Sequence, residues 1–169
     1  MPEHNDRALF ELLILEGAQA GLSWETILRK RENYRRAFSK FEPRVVARYD
    51  ARKVRSLLAD PGIVRNRLKI AAAIENARHF LEIQRECGSF ANYLWDFTGG
   101  KPVDGKRRRR GDVPAKTALS DRVSTDLRKR GFRFVGSTII YAFLQATGVV
   151  NDHVVGCFRY REVKRLAKE

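Results

Sequence analysis

The chain is poor in cysteine, in acidic residues and in long apolar runs, and each shortage narrows what it can do. Cys87 and Cys157 are its only two cysteines, too few for a disulfide framework and in keeping with a reducing compartment. No apolar run approaches the length needed to cross a bilayer, so no membrane partner is expected. Met1-Pro2-Glu3-His4-Asn5-Asp6 lacks the charged-then-apolar order of a signal peptide, which sets the expectation of a soluble, cytoplasmic protein. Asp and Glu number 20 against 34 Lys and Arg, leaving a net charge of +14. Such an imbalance favours a polyanionic partner. Strand-like alternation and internal repeats are also missing, which argues against a sheet or a solenoid.

What is present suits one helical domain. With 169 residues, 43% of them hydrophobic, the chain can bury a core without staples. Leu9, Phe10, Leu12, Leu13 and Ile14 cluster as in a largely buried helix over residues 7–19, with Asp6 placed to cap it. After a turn at Gly21, Ser23 is the expected cap of a second helix that begins beside Trp24 and carries Ile27, Leu28, Tyr34 and Phe38. Pro43 opens a short helix, residues 51–58 form another, and Asp60-Pro61-Gly62 breaks the pattern. Ile70, Ala73, Ile74 and Ala77 then mark a long helix from about Val64 to the region of Gln84. Phe90, Tyr93, Leu94 and Phe97 add a short amphipathic turn or two, ended by Gly99-Gly100. Residues 99–116 read as a basic, mobile loop because Lys106-Arg107-Arg108-Arg109-Arg110 offers little to bury. Beyond it, Ser120 is expected to cap a helix through Arg130 and Ser137 to start another that Gly148 closes. The fold class that follows is an all-α helical bundle.

Several groups of residues bear on chemistry. Around Gly62, a Pro-Gly turn between two helices precedes Arg65, Asn66, Arg67 and Lys69, the pattern of a helix-hairpin-helix. Glycine opens backbone torsions closed to other residues, so hairpin amides and the following helix N-terminus can face a phosphate oxygen. An ordinary interhelical turn with a solvated basic face explains the same residues, and the net charge tips the balance towards DNA. Glu16 stands among apolar and small residues, eight positions before Trp24. A carboxylate can accept from the exocyclic amine of a purine while an indole stacks on its face, although a surface charge and a core tryptophan are the plainer reading. Gly21 and Leu22 occupy the turn between the first two helices, where leucine can wedge into a base stack or simply pack in the core. His153 and Cys157 would share one helical face and are suited to zinc. A structural zinc site takes four ligands, and His4, His79 and Cys87 lack convincing spacing, so from the residues alone a core histidine and a buried thiol are the plainer reading.

Taken in order, Leu15 to Trp24, Lys30-Arg31-Glu32-Asn33-Tyr34, Gly62-Ile63 with Arg65-Asn66-Arg67, Arg130 to Gly136 and Val150 to Cys157 resemble the signature segments of the DNA-3-methyladenine glycosylase I family. The likeness covers nearly the whole chain. It implies a monomeric helix-hairpin-helix glycosylase that flips an alkylated adenine from double-stranded DNA and hydrolyses its glycosidic bond without an organic cofactor. In residues of this chain, it implies that Glu16 recognises the base and carries catalysis, Trp24 stacks on the base, and Leu22 contacts the distorted duplex. It implies further that His153 and Cys157 supply half of a structural zinc site. Family members carry, ahead of the equivalent of Pro2-Glu3, a leader with a Cys, a His and several Trp or Tyr. That leader, which this sequence is expected to lack, would supply the other two ligands and part of the aromatic wall of the pocket. The alternative is a noncatalytic DNA- or lesion-binding module. A helix-turn-helix regulator would need an exposed recognition helix and usually a dimer surface, and the sequence offers neither.

Overall fold

Leu9, Phe10, Leu13, Ile14 and Leu15 are all buried, so the first helix, α1 (Asp6–Gln19), is enclosed by its neighbours. A helix apolar around most of its circumference is stable only in such a position. The computed structural model describes residues 2–166, and among these α1 packs on α2 (Trp24–Ala37), α5 (Arg67–Cys87), α6 (Phe90–Asp96) and α8 (Ser137–Ala146). Short α3 (Pro43–Val46) lies against α5, α4 (Ala51–Ala59) precedes it, and α7 (Ala118–Lys129) pairs with α8. The last helix is α9 (Phe158–Leu166). The all-α expectation holds, and no described helix is long and apolar enough to cross a membrane.

Long-range contacts reassign several caps. Asn5, not Asp6, caps α1, its side chain accepting from the Ala8 amide. Asp6 instead reaches the start of α6, where its carboxylate accepts from the Phe90 and Ala91 amides at 2.9 Å each and from Gln84 Nε2 at 2.6 Å. Ser89 takes the Asn92 amide, so the exposed donors of this helix start are shared between a local cap and a distant one. Thr117 rather than Ser120 caps α7: Ser120 lies inside the helix, is fully buried, and shares a hydrogen bond of 2.9 Å with the Ser137 hydroxyl. Helix α5 begins at Arg67 rather than near Val64 because the Val64 amide donates to the Tyr34 hydroxyl and Asn66 caps the helix.

One small parallel sheet was not expected. Val103–Asp104 (β1) pairs with Val150–Asn151 (β2), in register Val103 to Val150 and Asp104 to Asn151. Two-residue strands are too short for alternation to reveal. The pairing ties the 99–116 segment to the signature stretch after α8, and Arg107 fastens it further. Arg107 Nε donates to Asp152 Oδ1 at 2.8 Å, and the Arg107 carbonyl accepts from the Val155 amide at 2.8 Å. Arg108, Arg109 and Arg110 remain exposed.

Candidate nucleic-acid interface and base site

The hairpin between α4 and α5 is built on α2. Asp60 Oδ1 accepts from the Gly62 amide at 2.7 Å, Ile63 is buried, and Lys30 Nζ donates to the Pro61 carbonyl at 2.8 Å. With the Tyr34 hydroxyl on the Val64 amide at 3.1 Å, the turn is held from outside as well as within. The need for glycine at position 62 is one of space: Gly62 is not among the residues of positive φ, but a Cβ there would stand 2.9 Å from Asp60 Oδ1 and 3.0 Å from Asn33 Cβ. The torsional reason expected from the Pro-Gly pair is thus replaced by a close approach to α2. Gly62→Ala is expected to cost about 1–3 kcal/mol, because the hairpin must move away from Asn33. Thermal unfolding together with duplex binding measures it, and an unchanged melting temperature would refute the packing argument.

Arg65, Asn66 and Arg67 are exposed on this hairpin, in agreement with a basic surface at the start of α5. Leu68, 67% exposed between two basic residues, is an apolar group at the same surface that sequence patterning does not single out. Lys69 differs from its neighbours. Its ammonium turns inward and donates to the carbonyls of Ala18 at 2.8 Å and Ala20 at 2.6 Å, and burial lowers its pKa.

Those carbonyls belong to the corner where α1 gives way to α2. Gly21 adopts φ +77°, a region open mainly to glycine, and the space a Cβ would fill there is empty. Leu22 follows, 38% exposed, with its amide on the Gln19 carbonyl at 2.7 Å and its own carbonyl on Gln19 Nε2 at 2.8 Å. Ser23 caps α2 as expected, accepting from the Thr26 amide at 3.2 Å. Trp24 is half-buried against the core at the first position of α2.

Glu16 lies one turn before that corner and is only 4% exposed. Among the described residues its carboxylate has neither an ion-pair partner nor a hydrogen bond, and burial pushes its pKa up to about 7. Glu11, on the same helix and similarly buried, is treated quite differently: Arg31 and Arg35 both donate to it. A buried carboxylate normally finds such partners. The one at position 16 is kept available. Next to it, Gly17 lets Phe134 approach, since a Cβ at 17 would sit 3.3 Å from Phe134 Cβ. Phe134 holds a left-handed φ of 55°, and Asn76 fixes that strained loop by bonding both the amide (2.8 Å) and the carbonyl (2.9 Å) of Arg133. Asn76 and Phe134 are supports that only the three-dimensional arrangement reveals.

His153 and Cys157 do not share a helical face. Residues 152–157 form no helix, α9 begins at Phe158, and His153 is exposed while Cys157 is half-buried. Among the described residues no group of three or more His, Cys, Asp or Glu is arranged to hold a metal. Two donors fall short of the four of a structural zinc site, so these residues alone do not fit one.

Comparison with known proteins gives a consistent result. The family model for methyladenine glycosylase matches residues 1–160. DNA-3-methyladenine glycosylase 1 of Escherichia coli (strain K12) is 47% identical over 160 residues, spanning 95% of this chain and 86% of that protein. DNA-3-methyladenine glycosylase of Haemophilus influenzae is 41% identical over 157 residues, with 92% and 84% covered. A crystal structure of 3-methyladenine DNA glycosylase I superposes with a TM-score of 0.90 at 47% identity, covering 94% of this chain and 87% of the other. The Staphylococcus aureus enzyme, solved to explain 3-methyladenine recognition, gives a TM-score of 0.91 at 38% identity over 94% and 84%. With likeness in sequence and fold running through almost its whole length, the chain belongs to the methyladenine glycosylase family.

Proposed function

We propose that this protein is a monofunctional glycosylase of base-excision repair, a cytoplasmic monomer that hydrolyses the N-glycosidic bond of 3-methyladenine in alkylated double-stranded DNA. The products are the free base and an abasic site. The observation that carries this reading is the solitary buried carboxylate of Glu16 on the last turns of α1, which lead into the corner where Leu22 is exposed and Trp24, half-buried, begins α2.

Methylation at N3 makes the adenine cationic and a good leaving group, so little acid catalysis is required. Glu16 in its ionised form accepts from the exocyclic amine and offsets the positive charge of the flipped base. A cation beside a carboxylate favours ionisation, so lesion binding lowers the raised pKa of Glu16. Trp24 supplies a ring for stacking, while Leu22 fills the gap left by the extruded nucleotide. Arg65, Asn66 and Arg67 take the phosphates, with backbone amides of the hairpin beside them. When the C–N bond breaks, its electron pair leaves with the base and neutralises it. Positive charge develops on the sugar, water adds at the anomeric carbon, and a proton passes to solvent.

Release of 3-methyladenine from methylated duplex DNA, followed by chromatography of the free base, tests the proposal. The expected result is base release with the abasic strand left intact. Duplex binding with no base released would instead identify a noncatalytic lesion-binding module.

A further inference from the structure

We propose that Lys69 is a positioning residue, which locks the corner carrying Glu16 and Leu22 to the DNA-gripping hairpin through its bonds to the carbonyls of Ala18 and Ala20. The inference rests on the reading of that corner and hairpin as the excision site.

Local chemistry does not favour a lysine here. Lys69 is the third residue of α5, where the helix dipole is unfavourable to a cation. Its ammonium is also partly removed from water, which lowers its pKa. The compensation is tertiary. Helix α1 has no basic residue in its last turn, and the ammonium from α5 lies against the carbonyls at that end, at 2.8 and 2.6 Å. A cation at a helix C-terminus both satisfies orphan acceptors and complements the dipole.

The connections on either side make this contact a coupling. Towards the hairpin, the Lys69 amide is held by Asn66 Oδ1 at 3.1 Å, directly between Arg65 and Arg67. Towards the corner, the Ala20 amide rests on the Gly17 carbonyl at 3.4 Å, and Gln19 brackets Leu22 through both its carbonyl and its side-chain amide. Gly21 is the glycine hinge point of that corner, with a left-handed φ and open space where a Cβ would stand. Without Lys69, nothing described bonds the Ala20 carbonyl, and the turn presenting Leu22 is free to shift against the phosphate-binding surface. The consequence falls on excision, because grip on the phosphates and insertion of the wedge must occur in register.

Lys69→Met removes the charge and both bonds while keeping most of the stem. Hydrogen exchange at the Ala20 and Leu22 amides is expected to rise about tenfold as the corner opens locally. Single-turnover release of 3-methyladenine is expected to fall about ten- to a hundredfold through misplacement. The salt dependence of binding to undamaged duplex should stay unchanged, and Lys69→Arg should recover most of the lost rate. A salt slope smaller by about 0.9, with equal affinity losses on damaged and undamaged DNA, would make Lys69 a phosphate contact and overturn the inference. Unchanged exchange at Ala20 and Leu22 would overturn it as well. Lys69→Gln serves the same comparison if the methionine variant does not fold. Should the wild-type chain release no base, the excision reading fails separately, and the exchange measurement still decides whether Lys69 holds the corner.

Discussion

Glu16→Gln is expected to stabilise the protein above pH 7 by up to about 3 kcal/mol while slowing 3-methyladenine release by about ten- to a hundredfold. The two effects share one cause. Burial raises the Glu16 pKa from 4.5 to about 7, so the folded protein retains a proton that the unfolded chain has already released. Below pH 4.5 both states hold the proton and the residue makes no pH-dependent difference. As pH rises from 4.5 to about 7, the unfolded state binds fewer protons than the folded one and stability falls; above that range the whole penalty is present. Glutamine is neutral throughout and nearly the same shape. Melting temperatures of wild type and variant should therefore coincide near pH 4 and separate on the alkaline side, by about 6–12 °C for a domain of this size. A gap independent of pH would show that Glu16 ionises normally. On the proposed reading of the base site, the expected loss of rate comes from replacing the anion that would face a cationic base by a neutral amide. If affinity falls equally on damaged and undamaged duplex, Glu16 is not reading the lesion. Measured together, a gain in stability and a loss of rate in Glu16→Gln would mark Glu16 as an exchange of stability for function.

How much of this was legible beforehand depends on the range of the interaction. The buried first helix, the Ser23 cap and the break at Asp60-Pro61-Gly62 are local in origin, and each appears as read. Asp6 is misread because a carboxylate beside a helix start looks like its own cap, whereas its acceptors serve α6 across the core. Lys69 is read as one more phosphate-facing base because spacing cannot show that its side chain turns inward to α1. Gly62 is identified correctly and explained wrongly, since contact with Asn33 is invisible in one dimension. Glu16 and Trp24 stand out only through resemblance to a family, because an isolated carboxylate in an apolar run carries no mark of whether it finds a partner. The converse holds for His153 and Cys157, where helical spacing suggests a shared face and the chain forms no helix.

Asp152→Ala is expected to cost about 3 kcal/mol, on the order of 10 °C in melting temperature, while leaving base release at low temperature close to wild type. The Asp152 side chain is 5% exposed and pairs with Arg107 Nε at 2.8 Å. Its second oxygen accepts from the Tyr141 hydroxyl and from Gln145 Nε2, the latter at 2.9 Å. Burial first, and then the bond to Asp152, push the Tyr141 pKa up to about 12, so the phenol stays a donor throughout the accessible pH range. Removal of the carboxylate leaves a guanidinium, a phenol and an amide without their common acceptor in a partly dry site, and breaking one side of a buried ion pair costs more than the pair itself contributes. The backbone is fitted to the same group: a Cβ on Gly105 would collide with Asp152 Oδ1. Gly105→Ala should therefore reproduce the loss of stability by displacing the carboxylate instead of deleting it. Asp152 thus clamps the basic 99–116 segment onto the stretch between α8 and α9, and its place in a family signature has a structural explanation. Calorimetry on the two variants, with base release assayed below their melting range, separates the roles. A fall in base release greater than the loss of folded protein would move Asp152 from the scaffold into the excision machinery.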